Sequence, residues 1–146
     1  MRQISAIYIL MIFLGSCATT KTALKDFNNA EYYNAASKFQ KVIKEGDSNN
    51  SFLLAESLRK SNRLWQAQKY YADAIKNGYK EEIAYYYLAL SLKSNNDYEQ
   101  ADSLISHYLS KGNDKSIIKL MRQELLYINN LRQYPDTSYY RVKNLE

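Results

Sequence analysis

The chain has 146 residues, about one domain's worth, with only four Gly and one Pro. So few chain breakers argue for long helices joined by short turns and against a β-rich fold. The formal charge of +5 is modest and spread along the chain with no Lys/Arg-rich run. That excludes a nucleic-acid footprint and leaves a solvated surface with a mild preference for anionic partners.

Residues 1–16 read as a signal peptide, outside the fold. Arg2 forms a short positive segment, and Ile4 to Leu14 an apolar one too short for a comfortable membrane span. The stretch ends in Leu14-Gly15-Ser16-Cys17, and Cys17 is the only Cys in the chain. It resembles the lipobox of bacterial lipoproteins, in which the Cys after a small residue is lipidated and becomes the mature N-terminus. The resemblance implies lipidation at Cys17, and removing the segment with Arg2 leaves a charge of +4. Two or three acyl chains on one residue anchor firmly, each buried CH₂ adding about 0.8 kcal/mol. Ala18 stands where the lipoprotein sorting rule places Asp for inner-membrane retention, and no acidic run follows in Thr19 to Lys25. The resemblance therefore implies the outer membrane, with the domain facing the periplasm. Residues 17–20 are then a lipidated tether.

A repeat domain is expected over 21–131. Ala23, Leu24 and Phe27 suggest a first helix, Asn28 to Glu31 a turn, and Tyr32 to Lys44 a second helix. In the loop Glu45 to Asn50, Gly46 is the expected helix stop, and Asp47, Ser48 or Asn50 the next cap. A second hairpin follows, with helices near Ser51–Lys60 and Leu64–Asn77 and Gly78 as a left-handed C-cap. A third has helices near Glu81–Ser94 and Tyr98–Ser110, turned by Asn95-Asn96-Asp97 and stopped by Gly112.

These hairpins match at an offset of 34 residues. Leu54, Ala55 and Leu58 fall on Leu88, Ala89 and Leu92; Asn62, Leu64 and Ala67 fall on Asn96, Tyr98 and Ala101. Tyr71 falls on Ile105, and Ala74 on Tyr108, the one poor match. In the first, degenerate unit, Ala35, Phe39 and Val42 take the places of Ala67, Tyr71 and Ala74 at an offset of 32. A 34-residue period with helix-turn-helix content resembles a tetratricopeptide array. Small residues let the two helices of a unit approach, and the apolar ones wedge unit against unit. The expected fold class is thus all-α: a tetratricopeptide superhelix of three hairpins plus a C-terminal capping helix. That cap spans Asp114 to Leu131, with Ile117, Ile118, Leu120, Met121, Leu125, Ile128 and Leu131 clustered on one broad face. Pro135 blocks further helix, and 132–146 is expected to be an extended or disordered tail.

His107 is the only His, so no His-based metal cluster is expected, and its place on a helix among polar neighbours reads as a surface side chain rather than the base of a Ser-His-Asp triad. No CxxC, P-loop or GxGxxG occurs. Glu81 and Glu82 sit where carboxylates favour a helix N-terminus. The expectation is a protein that is not an enzyme and uses no cofactor and no metal.

In tetratricopeptide arrays the first helices of successive hairpins line a concave face, and the resemblance implies which positions point into it. Carried over, these are Asn49, Phe52, Glu56, Arg59 and Lys60, then Ile83, Tyr86, Leu90, Lys93 and Ser94. The set combines an aromatic and aliphatic floor with a basic rim, suited to an extended or helical segment held by a few apolar anchors. Phe52 and Tyr86, equivalent across the repeat, are the expected anchors. Fifteen Tyr in the chain suit such groove and edge positions, where the ring is buried and the hydroxyl stays wet. The Lys/Asn clamp by which chaperone-binding members hold a C-terminal carboxylate is missing.

The chain as a whole resembles the N-terminal part of outer-membrane lipoproteins associated with type IX secretion and gliding motility. Those carry a lipobox, a tetratricopeptide array, a β-propeller and a peptidoglycan-binding OmpA-like domain. The matching residues are Leu14 to Cys17 with Thr19-Thr20-Lys21, the turns Asn96 to Tyr98 and Ala30 to Tyr32, and Tyr140 to Leu145. The resemblance implies a non-catalytic protein–protein interaction scaffold. Its partners would be envelope proteins, secretion components among them, and its membrane contact the lipid at Cys17. Two further readings stay open: an adaptor presenting or regulating a peptidoglycan-active enzyme, and the N-terminal remnant of a longer OmpA-like lipoprotein.

Overall fold

The computed structural model describes residues 20–133; the signal segment, Cys17 and the tail beyond Gln133 lie outside the described residues. Within them the fold is all-α, with no strand. Residues 20–28 form α1. Then come α2 (Tyr32–Val42), α3 (Ser48–Lys60), α4 (Leu64–Lys76), α5 (Ile83–Ser94), α6 (Tyr98–Lys111) and α7 (Lys115–Gln133).

The helices pair into three hairpins through turns that share one geometry. Each turn holds one residue in the left-handed region: Ala30 at φ 62°, Asn62 at 60° and Asn96 at 60°. In each, the next amide reaches back to close the preceding helix: Glu31 N donates to Asp26 O at 2.8 Å, Arg63 N to Leu58 O at 2.8 Å, and Asp97 N to Leu92 O at 3.0 Å. Asn suits this conformation because its short polar side chain tolerates it; Ala does not share that advantage.

The connections between hairpins differ from one another. Asp47 caps α3, its carboxylate accepting from Asn50 N at 3.0 Å, so the helix starts at Ser48, before the expected Ser51. α2 ends at Val42 rather than Lys44, because Ile43 is already extended at φ −61°, ψ 131°. Gly46, at φ 83°, therefore does not stop the helix; it turns the loop three residues further on. Gly78 does act as the left-handed cap of α4, with Tyr79 N donating to Ala74 O at 2.9 Å. Gly112 stops α6 by another route. Its backbone is extended (φ −68°, ψ 149°), and the Tyr108 ring occupies the space a side chain there would need. The last helix is capped by Asp114, whose carboxylate accepts from Ser116 N at 2.8 Å and Ile117 N at 3.2 Å. It runs two residues past the expected end at Leu131.

One continuous apolar core extends from Ala23 to Ile128. Ala55, Ala67, Ala89 and Ala101 are buried at the helix crossings, with Leu54, Leu58, Tyr71 and Ile105 filling the space around them. The mismatched pair Ala74 and Tyr108 are both buried. The larger residue is accommodated because its hydroxyl reaches out to the Glu82 carboxylate. From α2 onward each helix packs on the next in sequence, and α5 also meets α7.

The two kinds of glycine should respond differently to Ala. Gly78→Ala meets open space and should cost about 1–2 kcal/mol of stability, the backbone strain alone. Gly112→Ala carries no such strain but must displace the Tyr108 ring, so a loss of about 1–3 kcal/mol is expected. Urea unfolding of the two variants measures both; only Gly112→Ala should also disturb the environment of Tyr108.

Candidate functional site

The face built from the odd-numbered helices carries a chain of charges and rings. At its centre is Glu56 on α3, 6% exposed. Arg59, one turn later, donates to it through Nε at 2.9 Å and Nη at 2.7 Å, a bidentate pair. Tyr71 Oη, from α4, donates to the same carboxylate at 2.5 Å. The Arg59 guanidinium lies 4.0 Å from the ring centre of Tyr87 on α5, so a single charge cluster spans three helices.

The same device recurs on either side. Lys60 Nζ stands 5.0 Å from the rings of both Phe27 and Tyr32, which themselves meet edge to face at 5.5 Å. Lys93, 34 residues after Arg59, pairs with Glu124 on α7 and lies 4.3 Å from the Tyr127 ring. Each junction between hairpins is thus crossed by a cation over a ring of the neighbouring unit.

The electrostatics follow from this packing. Burial, then the adjacent Glu56 carboxylate, pushes the Tyr71 phenol far above its ordinary value. The bond to Glu56 holds the Arg59 guanidinium protonated against its burial. Tyr86 is raised by burial and by Glu124, and Tyr79 by burial and by Glu81. Glu82 accepts from Tyr108 Oη and from the backbone N–H of Asp114 (3.0 Å) and Asn113 (3.2 Å). Those donors hold its carboxyl below the usual range. Its side chain therefore ties α5 to the α6–α7 connection and makes no hydrogen-bonded cap for α5, which begins at Ile83 rather than at the expected Glu81.

Of the expected groove residues, Glu56 and Arg59 come together directly, and Lys93 takes the corresponding place at the next junction. Tyr86 is half-buried, 5.5 Å from the Tyr87 ring, and Ile83 and Leu90 are half-buried on the same helix. Asn49 and Ser94 are exposed, and Lys60 turns toward the first hairpin. Phe52 is placed differently from an open anchor. It stacks on Tyr79 at 4.1 Å and 14° and meets Tyr71 edge-on at 5.9 Å, so it is a packing residue of its own hairpin. Sequence reasoning missed Tyr79, Tyr87, Glu124 and Tyr127. The signal for Glu124 was present, since it stands at the repeat position of Glu56 and Leu90.

The opposite face offers a cleft between α4 and α6, floored by Leu88 and Leu92 and edged by Ala72, Leu104 and the exposed His107. Among the described residues no group of three His, Cys, Asp or Glu could hold a metal ion. Nor is any described helix long and apolar enough to cross a membrane.

The raised phenols give stability a defined pH dependence. Tyr71 and Tyr108 keep their protons in the folded chain beyond the ordinary value near 10. Their contribution is complete below that value and is lost as pH rises above it, because only the unfolded state can ionise them. Urea unfolding from pH 8 upward should show constant stability to about pH 9 and a decline above about pH 10. Tyr71→Phe should flatten that decline and lower stability at neutral pH by about 1–3 kcal/mol, since the buried Glu56 loses a donor. Phenolate absorbance rising normally in the folded protein for every Tyr would contradict this. No family model matches the chain, and no curated protein matches it.

Proposed function

We propose that the chain is a non-catalytic scaffold of tetratricopeptide type, with its hairpins wound as a superhelix. Lipid at Cys17 anchors it to a bacterial outer membrane on the periplasmic side. The face of α3, α5 and α7 holds a segment of another envelope protein. The observation that carries this reading is the repeated geometry: three hairpins with equivalent left-handed turns, and odd-numbered helices joined side by side through cations over rings. Such a surface is rigid before a partner arrives, which keeps the ordering cost of binding low.

On this reading the open contact area comes from Tyr86, Leu90 and Ile83, because Phe52 is committed to its aromatic stack. The cations supply direction rather than most of the affinity, since each is already held by a carboxylate or a ring.

Site-specific photo-crosslinking from position 90 in the intact envelope tests the idea. A discrete adduct with one envelope protein is expected. Tyr86→Ala should weaken its capture by about 2 kcal/mol, roughly thirtyfold, while helicity is retained. Phe52→Ala should instead lower stability by about 3–5 kcal/mol. Cys17→Ala should release the protein from the membrane fraction. An unchanged adduct in the folded Tyr86→Ala protein would place the binding surface elsewhere.

A further inference from the structure

α7 stands in the register of the first helices of the hairpins. Phe52, Tyr86 and Leu120 are equivalent at the 34-residue spacing, as are Glu56, Leu90 and Glu124. Its inward side behaves accordingly, with Glu124 and Tyr127 receiving Lys93. Its outward side departs. Leu58 and Leu92 are 0% and 5% exposed, whereas their equivalent, Leu126, is 64% exposed. Leu54 and Leu88 are buried, whereas their equivalent is the exposed Arg122. Leu126 and Ile118 form the apolar floor of a shallow depression edged by Lys115, Lys119, Arg122 and Gln123, with no carboxylate in its lining. In the other hairpins the second helix covers this side; among the described residues nothing covers it on α7.

We propose that this face docks an acidic amphipathic helix from another protein, completing a fourth hairpin. The apolar stripe of such a helix would cover Leu126 and Ile118, and its flanking carboxylates would meet the three cations. Charge disfavours the other occupants. A second copy of the chain docked through this same face would set the same three cations against themselves. Residues 134–146 bring Arg141 and Lys143 along with Asp136 and Glu146, hence no net negative charge. At the repeat position of Ala67 and Ala101 they also carry Pro135. The proposal is independent of the α3, α5 and α7 face, so either can fail alone.

The probe is a hydrocarbon-stapled peptide copying Tyr98–Lys111, the second helix of the third hairpin, with Ser106→Glu and Lys111→Glu; stapling is needed because isolated helices of this length are marginal. Titrated by fluorescence anisotropy into the full chain, it should bind with Kd of roughly 10 μM and weaken at least tenfold between low and high salt. A control peptide with Lys at those two positions and at 99 and 102 should bind at least tenfold more weakly. Leu126→Asp, on an exposed position, should fold normally and lose at least tenfold in affinity, as should Lys119→Glu with Arg122→Glu. Equal binding of the two peptides, or indifference to Leu126→Asp, overturns the proposal. A concentration-dependent dimer abolished by Leu126→Asp would make the face an interface between copies. A tenfold gain in peptide affinity on deleting 134–146 would make the chain's own tail the occupant.

Discussion

A carboxylate taken out of water must be met by donors, and the burial of Glu56 sets that requirement at the middle of the fold. Removing the cation from a buried ion pair typically costs about 3–5 kcal/mol, because the charge left behind has no water to turn to. The partners come from different elements: Arg59 from the same helix, Tyr71 from the other helix of the hairpin. Arg59 is in turn held against Tyr87 of the following hairpin. Satisfying one buried oxygen pair therefore fixes the crossing of α3 on α4 and the seating of α5 beside them. The surrounding Ala residues make that arrangement possible, since larger side chains at the crossings would push the helices beyond the reach of these bonds.

Much of the helix order could be read from the repeat. Small residues at Ala55, Ala67, Ala89 and Ala101 and the paired Asn62 and Asn96 located two hairpins and their turns, and the structure puts helices there within a few residues. The largest boundary shift lies in the first hairpin's exit, where Ile43 leaves the helix early and Asp47 starts the next one sooner, with two-residue shifts at the start of α5 and the end of α7. Capping there depends on which of three adjacent polar residues turns inward, and spacing cannot choose among them.

The face was less legible than the helices. A repeat alignment assigns positions to a side of a helix, whereas the contacts belong to long side chains that reach across to another unit. Phe52 and Tyr86 are equivalent in register yet differ in surroundings, because Tyr79 follows α4 and stacks on Phe52, while the corresponding residue after α6 is Asn113. Glu82 is similar: the sequence placed it only as a carboxylate at a helix N-terminus, whereas Tyr108 and two loop amides also donate to it. Tyr-rich sequences are prone to such reassignments, since each phenol can satisfy an acid well away from its own backbone.

The left-handed residue at Ala30 has a consequence for how the molecule comes apart. Its counterparts are Asn, which adopts this conformation readily; for Ala the same angles store roughly 1–2 kcal/mol. That energy returns to the chain whenever the turn opens. In a linear stack, each inner unit is braced by two neighbours and an end unit by one. Within the described array, the α1–α2 hairpin combines the strained turn with a single bracing side, against α3. Its partial opening should then be the least costly excursion of the native protein, a local fraying that leaves the Glu56 cluster and the remaining hairpins intact.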